Sequence, residues 1–400
     1  MFDKAFLWSK TSRIFQLDML YLRELKNKLF AEITTIPGIV QGSYFPALDG
    51  LRGVAVMMVI LYHFGANRFL RPVHILINAD MGVDIFFVIS GFLITTLLLK
   101  ERVKYGRISL KRFYIRRAFR IIPAAYLFLL VMIILALVFK YGVSASDFIA
   151  SFLFYKNLPY WEEPYMGHFW SLAAEVQFYL IFPFLLTLNI NRYFVLIGLI
   201  VLVVPLISIM GYYHTDFLFS NHFIQMITKI TMYTFWKGPF IILIGSMFAV
   251  LLFKGIIKIK KQDGNYLLSF ILLFIAITVS STSFTFYTKY VSEYLSAILI
   301  GWVILLNLGK RNLLSAILES RVLVKIGLIS YSLYLWQQLF IGNRLRLQWV
   351  TDLHTTLPAV LILIKLVSLF MIAFASYYFV EIRFLRIKDK YEPGGKPKSL

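Results

Sequence analysis

Ten apolar stretches of about 18–23 residues dominate this sequence, and they constrain the fold more than any other feature. A helix of ~20 residues rises 1.5 Å per residue and crosses the ~30 Å hydrocarbon layer of a bilayer. The candidate spans are 47–66, 80–99, 121–140, 168–188, 193–212, 235–253, 266–282, 290–307, 324–343 and 358–380. With 60% hydrophobic and 15% charged residues in a chain of 400, too little polar surface remains for a soluble domain of this size. The expected fold is therefore an all-α polytopic membrane protein with about ten transmembrane helices. Residues 1–46 show no signal-peptide pattern. Asp147–Lys156 is too short to span and reads as re-entrant or interfacial.

The net charge of +21 invites a nucleic-acid reading, but its distribution opposes one. With the N-terminus inside, the inside segments hold 30 Lys and Arg, against 9 outside. Only Arg52 and Lys365 fall within spans. That asymmetry predicts both termini in the cytoplasm, and assigns the basic excess to topology and contact with anionic membrane lipids. No nucleic-acid partner is expected. The chain has no cysteine, which excludes disulfides, thiolate metal sites and a cysteine acyl-enzyme. No metal-ligand cluster, Gly-rich phosphate loop or Gly-x-Ser-x-Gly elbow is present in the sequence.

An ionisable side chain inside a span is costly and marks a candidate site. Arg52 and His63 lie eleven residues apart in the first span. Eleven steps of 100° leave a residue of about 20°, so both project from one face about 16 Å apart along the axis. Arg52 would lie toward the cytoplasm and His63 toward the outside. The bland alternatives are a snorkelling anchor and an interfacial histidine. Asp84 and Glu175 fall in the outer halves of the second and fourth spans. With His63 they could form a histidine–carboxylate general base, or a polar cluster that locks helix packing. Arg116, Arg117 and Arg120 belong to the segment 109–120, expected as a helix lying on the cytoplasmic interface. They suit either phosphates or anionic lipid. The ninth span carries Ser330, Tyr331, Tyr334, Trp336 and Gln337, a stripe more often used for packing. Glu381 ends the tenth span near Arg383 and Arg386, the pattern of an ordinary ion pair. Phe15 to Phe30 reads as an amphipathic surface helix, and the tail from Lys388 as disordered.

Five motifs in order resemble the acyltransferase-3 family of bacterial membrane O-acyltransferases acting on surface glycans. They are Pro46 to His63 with its Arg-ten residues-His pattern, Gly82 to Gly91, Phe113 to Pro123, Phe169 to Tyr179 and Ser330 to Trp336. The resemblance covers residues 44–387, flanked by an N-terminal cytoplasmic extension (1–43) and a cytoplasmic tail (388–400). Two positions depart from the family pattern: Gln337 stands where a His is common, and Glu381-Ile-Arg383 replaces Glu-x-Pro.

The resemblance implies a multi-pass enzyme of the bacterial cytoplasmic (inner) membrane. Its donor would be cytosolic acyl-CoA, most often acetyl-CoA, and its acceptor a hydroxyl of an extracytoplasmic or lipid-linked glycan, with no metal. It implies His63 as base with Glu175 or Asp84 orienting it. Arg52, Arg116, Arg117 and Arg120 would serve the donor. The competing reading is a transporter or flippase of a lipid-linked glycan, which buried polar groups also suit.

Overall fold

The computed structural model describes residues 23–24, 26–66, 78–139, 143–158, 166–212, 221–231, 239–259, 267–281, 289–309, 312–341, 353–354 and 356–391. The described residues form helices joined by turns, with no strand among them. In chain order the helices are α1 (Pro46–His63), α2 (Ala79–Tyr105), α3 (Leu110–Phe139), α4 (Ala145–Phe152) and α5 (Phe169–Leu188). Then come α6 (Ile190–Tyr212), α7 (His222–Thr231), α8 (Pro239–Phe253), α9 (Leu268–Ser280) and α10 (Lys289–Gly309). The last are α11 (Leu313–Leu318), α12 (Arg321–Leu328), α13 (Ser330–Trp336), α14 (Pro358–Ser376) and α15 (Ile382–Asp389). A 3₁₀ turn, Gln337–Phe340, continues α13, and a π-helical turn, Tyr377–Glu381, joins α14 to α15.

Local sequence explains where the site-bearing helices start and stop. Pro46 opens α1, where its missing N–H costs nothing. The Asn78 side chain caps α2 by accepting from the Met81 amide at 3.2 Å. Gly106 ends α2 in the left-handed region at φ 70°, its N–H donating to the Arg102 carbonyl at 2.8 Å.

Among the described residues six helices are long and apolar enough to cross a membrane: Ala79–Tyr105, Leu110–Phe139, Phe169–Leu188, Ile190–Ile207, Val291–Gly309 and Pro358–Lys388. The chain is a membrane protein on that ground. Pro239–Phe253 and Leu268–Ser280 are apolar but shorter. Pro46–His63 is diluted by Asp49, Arg52 and His63, and the ninth expected span is split into α12, α13 and the 3₁₀ turn.

Two expectations change in detail. The basic segment 109–120 and the span 121–140 are one helix, α3, which continues through Pro123. At 30 residues it is about 45 Å long, so the arginines occupy its first turns and not a separate surface helix. Glu381 forms no ion pair with Arg383 or Arg386, both of which are exposed. The π turn places its buried carboxylate against the hydroxyls of Ser332 and Ser376, the latter at 3.3 Å. The wider turn shifts the helical register, which is why reading the segment as a regular helix misplaced it. The expected helix over 15–30 lies mostly outside the described residues, as does the tail beyond Tyr391.

The core is organised around α2, which is buried along most of its length and crosses α8 at backbone contact. A Cβ on Gly91 would sit 1.8 Å from the Ile242 carbonyl oxygen, and one on Gly245 2.1 Å from that of Val88. Only glycine permits that approach. Polar bonds add to it: Ser246 of α8 meets Thr95 of α2 at 2.7 Å and Tyr193 of α6 at 2.5 Å. Large apolar side chains on the rim, such as Leu137, Leu202 and Met371, are exposed as a lipid-facing surface requires.

Candidate active site

Two cavities share part of their lining. The larger sits at the basic end, between the start of α1, the end of α2, the first turns of α3 and the π turn. The inner one lies between α1, α2, α3, α5 and α13. Arg52, Arg117 and Arg120 line both, so three guanidinium groups stand where the two cavities meet. Arg52 on α1 pairs with Asp49 one turn earlier at 3.1 Å. Arg117 lies over the rings of Phe113 (5.6 Å to the ring centre) and Tyr179 (5.4 Å), which meet edge to face. Cation–π contact of this kind places the guanidinium without consuming its hydrogen-bond donors. Arg117 and Arg120 are three residues apart on α3 and share a face. Arg116 points elsewhere: it lines only the basic cavity, donating to the Tyr391 carbonyl at 2.8 Å and pairing with Glu101 at 3.4 Å.

Deeper in, Glu175 of α5 is the carboxylate of the inner cavity. It accepts from Ser90 of α2 at 2.5 Å and from the hydroxyl of Tyr179, one turn along its own helix. Ser171 and Tyr334 meet at 2.6 Å on the same wall, and Tyr331 donates to the Ile121 carbonyl at 2.8 Å. Val83, Phe86, Phe87 and Ile94 supply apolar surface. The inner cavity thus combines one carboxylate, fixed hydroxyls, cations at its mouth and an apolar wall. Such a chamber suits a neutral group that develops negative charge during reaction.

His63 sits at the end of α1, beyond this cavity. Its Nδ1 is 3.4 Å from Oε1 of the fully buried Gln337, in the 3₁₀ turn after α13. Asp84 is buried on α2 and lines neither cavity. Of the residues singled out in the sequence, the structure brings Arg52, Arg117, Arg120 and Glu175 to one chamber. It puts Arg116 at the basic mouth, and His63 with Gln337. Glu175 makes no hydrogen bond to His63; its Oε1 accepts from Ser90 and Tyr179 instead. Sequence reasoning passed over Ser90 and Tyr179 as individual residues. Tyr179 had a readable signal, since four residues from Glu175 is the same helical face. Ser90 had none, being 85 residues away.

Comparison with known proteins assigns the family. A family model described as an acyltransferase domain matches residues 45–378, most of the chain. The chain belongs to that acyltransferase family. It is 34% identical over 318 residues to a Staphylococcus aureus (strain COL) protein named "Putative O-acetyltransferase SACOL0978", covering 73% of this chain and 50% of that one. It is 37% identical over 164 residues to "O-acetyltransferase OatA" of Staphylococcus aureus (strain NCTC 8325 / PS 47), covering 38% of this chain and 26% of that one. The chain thus spans about half the length, or less, of these curated relatives. No solved structure matches it.

Proposed function

We propose that this chain takes an acyl group, acetyl, from acyl-coenzyme A at the cytoplasmic face and passes it to a hydroxyl of an extracytoplasmic or lipid-linked glycan. Its place would be the bacterial cytoplasmic (inner) membrane, with both termini inside. The observation that carries this reading is the three-arginine junction of Arg52, Arg117 and Arg120 between a basic mouth and a hydroxyl-lined inner chamber. The basic excess on one side supports the orientation. The names of the relatives support acetyl. Family membership favours the enzyme over the transporter.

Arg116, Arg117 and Arg120 receive the coenzyme's phosphates, for which guanidinium forks are suited. The pantetheine arm passes Arg52 into the inner chamber. Gln337 Oε1 accepts from His63 Nδ1–H, leaving Nε2 as the base. His63 removes the acceptor's hydroxyl proton as the oxygen bonds to the thioester carbonyl carbon. The carbon–sulfur bond then breaks, and the leaving thiolate takes up the proton from the imidazolium. Glu175 holds Ser90 and Tyr179 in place and offsets the nearby guanidinium charge.

The test is transfer of labelled acetyl from acetyl-coenzyme A by the purified full chain in lipid nanodiscs. Donor consumption is expected, and His63→Ala should abolish it without loss of membrane insertion. Full activity in folded H63A would end the general-base assignment. Charge reversal at Arg116 and Arg120 should raise the donor KM more than it lowers kcat, and an unchanged donor KM would move the donor elsewhere. Mass spectrometry of surface polysaccharide with and without the gene would identify the acceptor.

A further inference from the structure

The segment around Asp147–Lys156, too short to span, is set deep in the bundle, and Tyr126 of α3 measures how deep. Its ring stacks on Phe152 at 4.6 Å and on Phe154 at 6.2 Å, and its hydroxyl donates to the Phe152 carbonyl at 3.2 Å. Tyr126 precedes Phe139, the last residue of α3, by thirteen residues, which is about 20 Å along the axis. The second neighbour agrees. Asn157 meets Gln177, eight residues past the start of α5 at Phe169 and so about 12 Å along that helix.

Chain at such depth in a membrane must satisfy its polar groups within the protein. Asp147 and Lys156 form an ion pair with both side chains fully buried. Backbone bonds close the turn, from the Phe154 N–H to the Ser151 carbonyl at 3.3 Å and from the Tyr155 N–H to the Ala150 carbonyl at 3.0 Å. Asn157 and Gln177 exchange amide hydrogen bonds of 2.9 and 2.8 Å, and Gln177 Nε2 also donates to the Phe154 carbonyl at 3.1 Å. Both Nε2 hydrogens and the oxygen of Gln177 are thus used, which fixes the side chain in one pose. Among the described residues Phe154 is the one non-glycine residue in the left-handed region, at φ 54°. Such a conformation persists only where its neighbours impose it.

Gln177 is two residues from Glu175, and two steps of 100° put the pair on opposite sides of α5. One side carries the carboxylate of the inner cavity. The other is bolted to the turn.

We infer that 143–158 is a re-entrant hairpin, and that Gln177 is a positioning residue for acyl transfer. Clamped by Asn157 and the Phe154 carbonyl, it sets the height and rotation at which α5 presents Glu175 to Ser90. This rests on the active-site reading above. Arg52 and Arg120 stand on α1 and α3, so the donor's phosphates are held independently of the clamp.

Steady-state kinetics of the full chain in nanodiscs tests the positioning role. Gln177→Ala should lower kcat by roughly tenfold to a hundredfold, the scale of about 1 Å of misplacement, with the donor KM within about twofold. Asn157→Ala removes the same bonds from the hairpin side and should match it, and the double variant should be no worse than either single one. In a Glu175→Gln background, Gln177→Ala should cost less than about threefold more, because it acts through the carboxylate. Full additivity there would overturn the proposal. So would an unchanged kcat, or a loss matched by an equal loss of coenzyme A binding sites in titration, which marks misfolding alone. A spin label on Leu153→Cys, an exposed position in a cysteine-free chain, reads the depth. Oxygen should relax it more than a nickel chelate does. The reverse would put the segment at the interface and remove the basis of the proposal. An unsubstituted chain without transferase activity would bring down the active-site reading, and the positioning role with it, while leaving the depth result standing.

Discussion

Replacing Glu175 by Gln keeps the shape of the inner chamber and removes its carboxylate charge. The carboxylate accepts from two hydroxyls, Ser90 and Tyr179. A hydrogen bond to a charged group contributes about 1.5–3 kcal/mol, against about 0.5–1.5 kcal/mol for a neutral one. Two such bonds therefore weaken by about 2–3 kcal/mol in sum. If that loss falls wholly on the geometry needed at the transition state, kcat drops by about 30- to 150-fold at 1.36 kcal/mol per decade. The donor responds in the opposite sense. Arg52 and Arg117 lose a nearby negative charge that partly offsets theirs. The junction becomes more attractive to the donor's phosphates, so the donor KM should hold or fall while kcat falls. Steady-state kinetics in nanodiscs over a range of acetyl-coenzyme A concentrations would measure both. A kcat within twofold of the unsubstituted protein would refute the role given to Glu175. A donor KM that rises in step with the loss of kcat would refute the electrostatic part.

Three further outcomes follow from the packing and the topology. Gly91→Ala puts a Cβ 1.8 Å from the Ile242 carbonyl oxygen, so α2 and α8 must separate. A loss of about 3 kcal/mol or more is expected, read as a lower melting point in detergent. Lys156→Met strands Asp147 in a fully buried ion pair and should cost about 3–5 kcal/mol. Replacing Asp147 by Leu as well should recover most of it, and a double variant no better than the single would deny that the pair is coupled. The chain has no cysteine, so single cysteines can report topology without background. One at Ser109 should react with an impermeant maleimide only from the cytoplasmic side, and one at Ser144 only from the outside. The reverse pattern would invert the orientation.

Most of the helices were legible because hydrophobicity and helical period are local properties. A run of ~20 apolar residues has few options in a bilayer. The spacing of Arg52 and His63 on one helix face was likewise local, and the structure puts Arg52 at the chamber's mouth and His63 beyond it. The motifs carried the family, which the match over 45–378 shows. The length of α3 was not legible, because the change from the basic segment 109–120 to the apolar span 121–140 reads locally as a boundary. The interruptions were not legible either. The 3₁₀ turn after α13 and the π turn at Glu381 depart from the 3.6-residue period on which sequence reading depends.

What the sequence by itself determined is the class of the molecule: a multi-helix membrane protein with an acyltransferase signature and ionisable groups within its apolar helices. Tertiary structure alone decided which of those groups meet. Ser90 reaches Glu175 across 85 residues, and Gln337 reaches His63 across 274. No periodicity extends over such separations, and only the packing of α5 beside α2, and of the turn after α13 beside α1, brings the partners together. The structure thereby gave Glu175 hydroxyl partners where a histidine was expected. It placed the departed family position, Gln337, against His63, and made part of the basic cavity's wall from Ser43, Tyr44 and Phe45, just ahead of the first motif.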